Sequence, residues 1–229
     1  MLKTANFDKK VEELFKLGAH LGHRKNRIHP KAKKYIYKIE NQTSIIDLTQ
    51  TVFLLEKAKE YIQKLKKDKK TLLFVGTKKS AAKIIDEIGQ KNNIFYITNK
   101  WPPGFLTNFD MFFKNNIQKM NKMREQKEKG EWQKFVKHEQ IALQKELRKI
   151  ERIYQGVEKM EKLPDCVFIV DVKKEKNALI EAKKLNIPVV AIVDTNVNPE
   201  NLDYPIPAND DSPETIAYIV KEIIESYNL

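Results

Sequence analysis

Phe7, Val11, Leu14, Phe15 and Leu17 recur at helical spacing and stop at Gly18, which predicts a first helix over residues 7–17. The stretch that follows, GAHLGHRKNRIHPKAKK, has no apolar period and reads as a loop dense in cations, leading into two short strand-like segments, YIYKI and TSIIDL. Leu48, Val52, Leu55, Ala58, Ile62 and Leu65 then step by three and four, the stripe of an amphipathic helix. TLLFVG (71–76) breaks that rhythm with a continuous apolar run, as a parallel strand buried on both faces requires. A helix follows in TKKSAAKIIDEIG, ended by Gly89, and then a strand in NIFYIT (93–98). CVFIVD (166–171) and PVVAIVD (188–194) are further strands, separated by the helical KKEKNALIEAKKL, and Pro188 is tolerable at a strand's first residue. DYPIP gives a short fifth strand. In DSPET, Ser212 can cap and Pro213 occupy the first turn of a last helix with Ile216, Ile219, Val220, Ile223, Ile224 and Tyr227 on its apolar face. This alternation predicts an α/β fold with a doubly wound, mostly parallel sheet.

One connection is too long for an ordinary crossover. Sixty-seven residues separate Thr98 from Cys166, and they hold two helical patterns. The first carries Phe109, Phe113, Ile117 and Met120; the second carries Leu143, Leu147, Ile150, Tyr154 and Val157, stepping four, three, four, three, with Gly130 between the two. A heptad step of this kind predicts an inserted antiparallel coiled-coil hairpin, the alternative being two helices packed flat on the sheet. The division that results is an α/β body over residues 1–106 and 163–229, with the hairpin over 107–162.

Composition narrows the class. A chain of 229 residues with 41% hydrophobic and 9% aromatic residues can bury a core without staples. Its single cysteine, Cys166, leaves no disulfide framework and fits a reducing compartment. No apolar run approaches the roughly 20 residues of a membrane span, and MLKTANFDKK lacks the apolar stretch of a signal peptide. A soluble, cytoplasmic protein with no membrane partner is expected.

Charge changes the picture more. The formal net charge is +12, and it is segregated: residues 1–162 carry 37 basic against 19 acidic side chains, and residues 163–229 carry 6 against 12. A basic excess confined to part of a chain points to a polyanion, and nucleic acid fits better than a lipid surface because acids alternate with the lysines along the long helices. The densest cations lie within residues 1–40: Arg24, Lys25, Arg27, Lys31, Lys33 and Lys34 crowd one loop. With few apolar residues to hold it, this loop is expected to be mobile until RNA orders it.

Four constellations could carry chemistry. Gly76-Thr77-Lys78-Lys79-Ser80 follows a strand, but seven glycines at 18, 22, 76, 89, 104, 130 and 156 leave no phosphate-binding loop and no dinucleotide fingerprint. What remains is a helix N-terminus where Thr77, Lys78 and Lys79 could hold one backbone phosphate, or where Thr77 is only a cap. His20, His23 and His29 cluster without a nearby Cys, Asp or Glu, so phosphate contacts or packing fit better than zinc. Asp171 and Asp194 end two sheet strands, where a magnesium-dependent phosphoryl-transfer site could form, but no nucleophile with a partnered base accompanies them. Trp101-Pro102-Pro103-Gly104-Phe105-Leu106-Thr107-Asn108 is a fixed bend, with Trp101 as its packing anchor.

Taken in order, LFKLGAHLGHRKNRIHPKAKKYIYK, IIDLTQTV, LLFVGTKKSAA, the W-x-x-G-x-LTNF bend, LPDCVFIVD, IPVVAIVDTNVNP and IPANDDS resemble the family of the universal second protein of the small ribosomal subunit, bacterial or organellar type, from about residue 7 to about residue 225. The resemblance implies a flavodoxin-like sheet with an inserted coiled-coil hairpin, and a non-enzymatic role in the small subunit of a bacterium or a plastid. It also implies contact with small-subunit rRNA and neighbouring ribosomal proteins, among them the large mRNA-binding ribosomal protein where that protein exists. No catalytic residue, cofactor, metal or obligate homo-oligomer is expected on this reading. Two departures stand out. The bend, usually W-L-G-G, loses a glycine and an amide here, and Lys173, Lys174 and Glu175 stand where many bacterial relatives carry histidines.

Overall fold

The computed structural model describes the backbone of residues 2–228 and the side chains of 7–111 and 115–228, so the Phe113 position of the expected seam lies outside the described side chains. Along the chain run α1 (Leu2–Lys16), β1 (Leu21–Arg24), β2 (Ile36–Glu40), β3 (Thr43–Ile46), α2 (Leu48–Lys67), β4 (Leu72–Val75), α3 (Lys79–Asn92) and β5 (Phe95–Ile97). There follow α4 (Phe109–Glu128), α5 (Lys137–Tyr154), β6 (Cys166–Val170), α6 (Lys176–Lys184), β7 (Val189–Val193), β8 (Tyr204–Pro207) and α7 (Pro213–Asn228).

The five strands read from the apolar runs form one parallel sheet in the order β5-β4-β6-β7-β8. Taken in sequence, that is second, first, third, fourth, fifth, the flavodoxin-like order with its switch point between β4 and β6. Alternate residues serve opposite faces. Leu72, Phe74, Cys166, Phe168, Val190 and Ile192 pack under α2, α3 and α7, through Leu55, Ile62, Ile85, Ile216, Ile219 and Ile223. Leu73, Val75, Val167, Ile169, Val189 and Ala191 pack with Ala178 and Ala182 of α6, with Trp101, Phe105 and Leu106, and with Val157 and Met160. Ser212 caps α7 as expected, its Oγ accepting from the Thr215 amide at 3.3 Å.

Gly89 does not stop its helix. α3 runs on to Asn92 and ends through Asn93 in the left-handed conformation (φ 53°). The glycine is there for space: a Cβ on Gly89 would stand 2.4 Å from Cδ1 of Tyr96. On the other edge of the same ring, a Cβ on Gly156 would stand 2.3 Å from the Tyr96 carbonyl oxygen. A backbone atom cannot swing aside, so Gly156→Ala should cost about 1–3 kcal/mol in urea denaturation. A wild-type midpoint would show that the 155–157 turn can move off β5.

The two helices of the insertion are present, but not as a free-standing straight hairpin. Lys119 pairs with Glu146, while Arg124 pairs with Glu151 (2.8 Å) and with Glu158 (2.8 Å). Partner numbers climb together, whereas a straight antiparallel seam pairs rising numbers with falling ones. Ile117, Met120, Met123, Trp132, Leu147 and Tyr154 also belong to the same apolar cluster as one sheet face.

The cation-rich segment is folded rather than loose. β1, β3 and β2 form a three-stranded antiparallel sheet, and 3₁₀ turns occupy Lys25–Arg27 and Pro30–Tyr35. Asn41 (φ 47°) and Gln42 (φ 64°) make the two-residue turn between β2 and β3, both in the left-handed region that tight hairpins require.

Candidate nucleic-acid interface

The β1 strand is fixed to the end of β7 by a short chain of polar contacts. A Cβ on Gly22 would lie 2.6 Å from Ser44 Oγ and 2.9 Å from Thr195 Cγ2, so glycine leaves the room that these two side chains occupy against β1. Ser44 Oγ donates to the His23 carbonyl at 2.7 Å and lies 3.0 Å from Thr195 Oγ1. The His29 amide donates to the Thr195 carbonyl at 2.8 Å, and the Ile46 amide to the His20 carbonyl at 2.8 Å. His23 closes the join, with Nδ1 2.7 Å from Asp194 Oδ2. This carboxylate raises the pKa of His23 against the opposing effect of burial. Asp194 Oδ1 accepts from the amides of His23 (3.3 Å) and Thr195 (2.5 Å) and from Thr195 Oγ1 (3.0 Å).

On this fixed base Arg24, Lys25, Arg27, Lys31, Lys33 and Lys34 are all exposed. Lys31 pairs with Glu200, and Lys34 lies 5.1 Å above the Tyr35 ring. Lys25, Lys33 and Lys38 rim a trough floored by Ile28, Pro30, Ile36 and Ile39. Cations around an apolar floor suit a polyanion whose sugars and bases present flat apolar faces.

The three histidines do not act together. His20 stacks on Phe15 with ring centroids 4.3 Å apart, and burial holds its pKa down. His29 Nδ1 accepts from the Lys31 amide at 3.2 Å, capping the 30–35 turn.

The Gly76 turn departs furthest from expectation. Thr77 gives both its donors to the buried Glu175: the amide at 3.1 Å and Oγ1 at 2.5 Å. Burial pushes the Glu175 carboxyl up. Lys78 reaches Asp210 (2.7 Å), Asp211 (2.7 Å) and Asp171 (3.3 Å). Burial alone would lower its pKa, but Asp210 and Asp211 raise it. Asp210 is itself pushed up to about 6, by burial first and by Asp171 next. Thr77 and Lys78 therefore lock the switch point and have no donor to spare for a phosphate, while Lys79 remains exposed. The sequence could not show this, because their partners lie 98 and 132 residues away.

Two cations were missed. Lys173 and Lys174 are exposed and share an open crevice with Arg27, His23, Lys78 and Asn196. Their position just after β6, at the switch point of the sheet, was the available signal. Asp171 also lies here, in the left-handed conformation (φ 63°), accepting from the Lys174 amide at 3.0 Å. Asp171 and Asp194 are thus held by Lys78 and His23.

Sequence comparison agrees with the geometry. The profile described as ribosomal protein S2 matches residues 14–228. Proteins named small ribosomal subunit protein uS2 match over 94% of this chain: one from Dehalococcoides mccartyi is 40% identical with 88% of its own length covered. Those from Dictyoglomus thermophilum (42%) and Dictyoglomus turgidum (41%) match with 87% of their length covered. A parallel sheet in flavodoxin-like order, a basic segment fastened to its carboxyl edge, and matches that run nearly end to end lead to one assignment: the chain belongs to the ribosomal protein S2 family.

Proposed function

We propose that the chain is a structural constituent of the small ribosomal subunit, not an enzyme, and that it supports translation by holding folded rRNA against its cationic face. Arg24, Lys25, Arg27, Lys31, Lys33, Lys34 and Lys79 replace counterions on the phosphates, with Lys173 and Lys174 beside them. Thr77 and Lys78 hold the turn beneath. The observation that carries this reading is the joining of the exposed cations to the sheet edge through His23–Asp194 and His29–Thr195, which presents them as a shaped surface. Residues 107–162 are a helical insertion in a body formed by 1–106 and 163–229. The partners on this reading are small-subunit rRNA, the proteins beside it and, where present, the large mRNA-binding ribosomal protein. Among the described residues no helix is long and apolar enough to cross a membrane.

Salt dependence tests the surface. Each phosphate contact adds roughly 0.7–0.9 to the slope of log affinity against log salt, so changing Arg24, Arg27, Lys33 and Lys34 together to Ala should flatten it by about 2–3 units with three of the four on phosphate. Changing Lys119, Lys122, Lys145 and Lys149 should flatten it less, since acids such as Glu146 already hold part of that set. An equal loss from both variants would move the RNA surface to the insertion.

A further inference from the structure

The trough beside β2 has a volume of about 680 Å³, within the range of pockets that bury a small flat ligand. Its floor is aliphatic, formed by Ile28, Pro30, Ile36 and Ile39, and Ile39 is 47% exposed. Solvation of phosphates alone would not call for such a floor, since ammonium groups on a polar surface hold phosphate equally well. Lysines stand at the rim. Lys38 pairs with Glu40 at 2.8 Å, whereas among the described residues neither Lys25 nor Lys33 forms an ion pair. The walls are fixed before anything binds. The Lys25 amide donates to the Gln42 carbonyl (2.8 Å), the His29 amide to the Thr195 carbonyl (2.8 Å) and the Asp47 amide to the Tyr35 carbonyl (2.9 Å). Gln50 Nε2 donates to the Lys34 carbonyl at 3.0 Å. A hollow held open in this way spares its ligand the cost of ordering the protein.

We propose that this trough receives an unpaired nucleobase of RNA, with a flat face on the aliphatic floor and the flanking phosphates on Lys25 and Lys33. Bases paired in an A-form helix keep their faces stacked and their major-groove edges out of reach, so the occupant is a base from a bulge, loop or single strand. Exposed cations continue on both sides of the lining, Arg24 and Arg27 near Lys25, and Lys31 and Lys34 near Lys33. The negative charge of the occupant therefore repeats along its length, as a phosphate backbone supplies and the scattered carboxylates of a protein segment do not. A second copy of this chain fits worse, because each copy carries a net charge of +12. The inference rests on the RNA surface proposed above and adds which RNA that surface selects: the lysines and arginines hold any RNA, and the floor distinguishes an unpaired nucleotide from a duplex.

Titration of the full chain with a blunt RNA duplex, and with the same duplex carrying a bulged 2-aminopurine, tests the trough at one salt concentration. Wild type should prefer the bulged RNA by about tenfold, in the range of a single base contact, and change the 2-aminopurine emission on binding. Ile39→Ser should bring that preference close to unity while keeping the salt slope, since no phosphate contact is lost. Pro30→Ser, also at an exposed position, should do the same, and circular dichroism checks that both variants fold. Tyr37→Ser, which removes a ring 73% exposed on β2 but outside the trough, should keep the preference. Equal affinity of wild type for the two RNAs would overturn the proposal and leave the cationic surface standing, whereas no binding of either RNA would overturn both. Loss of the preference in Tyr37→Ser alone would place the base on that ring instead. A wild-type dimer that Ile39→Ser dissolves would seat a second copy in the trough, and an Asp- and Leu-rich peptide that displaces the bulged RNA from it would seat a protein segment; either result overturns the proposal.

Discussion

Glu181→Ala is expected to destabilise the chain by about 3–5 kcal/mol, more than its place in a lysine-rich helix suggests. Its carboxylate is buried and gathers the bend that follows β5. Oε1 accepts from Trp101 Nε1 at 3.0 Å and from the Gly104 amide at 2.8 Å, and Oε2 accepts from the Leu106 amide at 2.9 Å. Trp101 and Leu106 are 5% and 1% exposed, so removing the carboxylate leaves donors that water cannot readily reach. Glu181→Gln should fall between, because its amide nitrogen would meet the Leu106 N–H donor to donor. Urea denaturation followed by tryptophan emission gives the cost, with a red shift reporting a loosened Trp101. A loss below about 1 kcal/mol would mean that the two prolines alone hold the bend. The same geometry answers the family departure at Pro103: the amides in use belong to Gly104 and Leu106, so the proline removes a donor that Glu181 does not need.

Replacing residues 109–160 with a short Gly/Ser linker should abolish cooperative folding, contrary to what a projecting hairpin predicts. Phe109, Tyr154, Val157 and Met160 are buried in the cluster that covers one sheet face. Deleting large buried side chains costs about 2–5 kcal/mol each, against a total stability of about 5–15 kcal/mol. Excising only residues 115–149 keeps all four and removes Ile117, Met120, Met123, Trp132 and Leu147 together with the neighbours they chiefly pack against, and loop closure grows slowly with length, so that chain should still melt cooperatively at a lower midpoint. Calorimetry of the two deletions decides between them. A sharp transition in the larger deletion would show that the insertion folds apart from the sheet.

The parts of the fold that could be read from sequence were those in which a residue's environment matches its local pattern. β6 and β7 are unbroken apolar runs because both faces of the sheet are covered, and every residue in them is buried. α7 showed its 3.6-residue stripe for the complementary reason. β1 was illegible: LGHR has no alternation, and it is a strand because β3 pairs with it and Gly22 lets Thr195 approach. Gly89 misled because glycine near a helix end can mark a stop or a close approach, and only the Tyr96 ring distinguishes the two. At the interface the exposed cations were evident from charge density. The neutralisation of Lys78 by Asp210 and Asp211 was not, nor was the role of Glu181, since each depends on groups that only the folded chain brings together.

The β8 edge has a bearing on the life of the chain before it finds its partners. β8 pairs with β7 alone, and Ala191 and Val193 stand opposite Pro205 and Pro207. Successive residues of a strand turn their backbone groups to opposite sides, and these two prolines fall on the side away from β7, where they have no N–H to offer. The Pro207 carbonyl is in turn occupied by Thr51 Oγ1 at 2.5 Å. A second molecule approaching this margin finds few groups with which to extend the sheet, so edge-to-edge stacking is blocked at its first step. Along this margin the unassembled chain can therefore stay unpaired without templating a fibril.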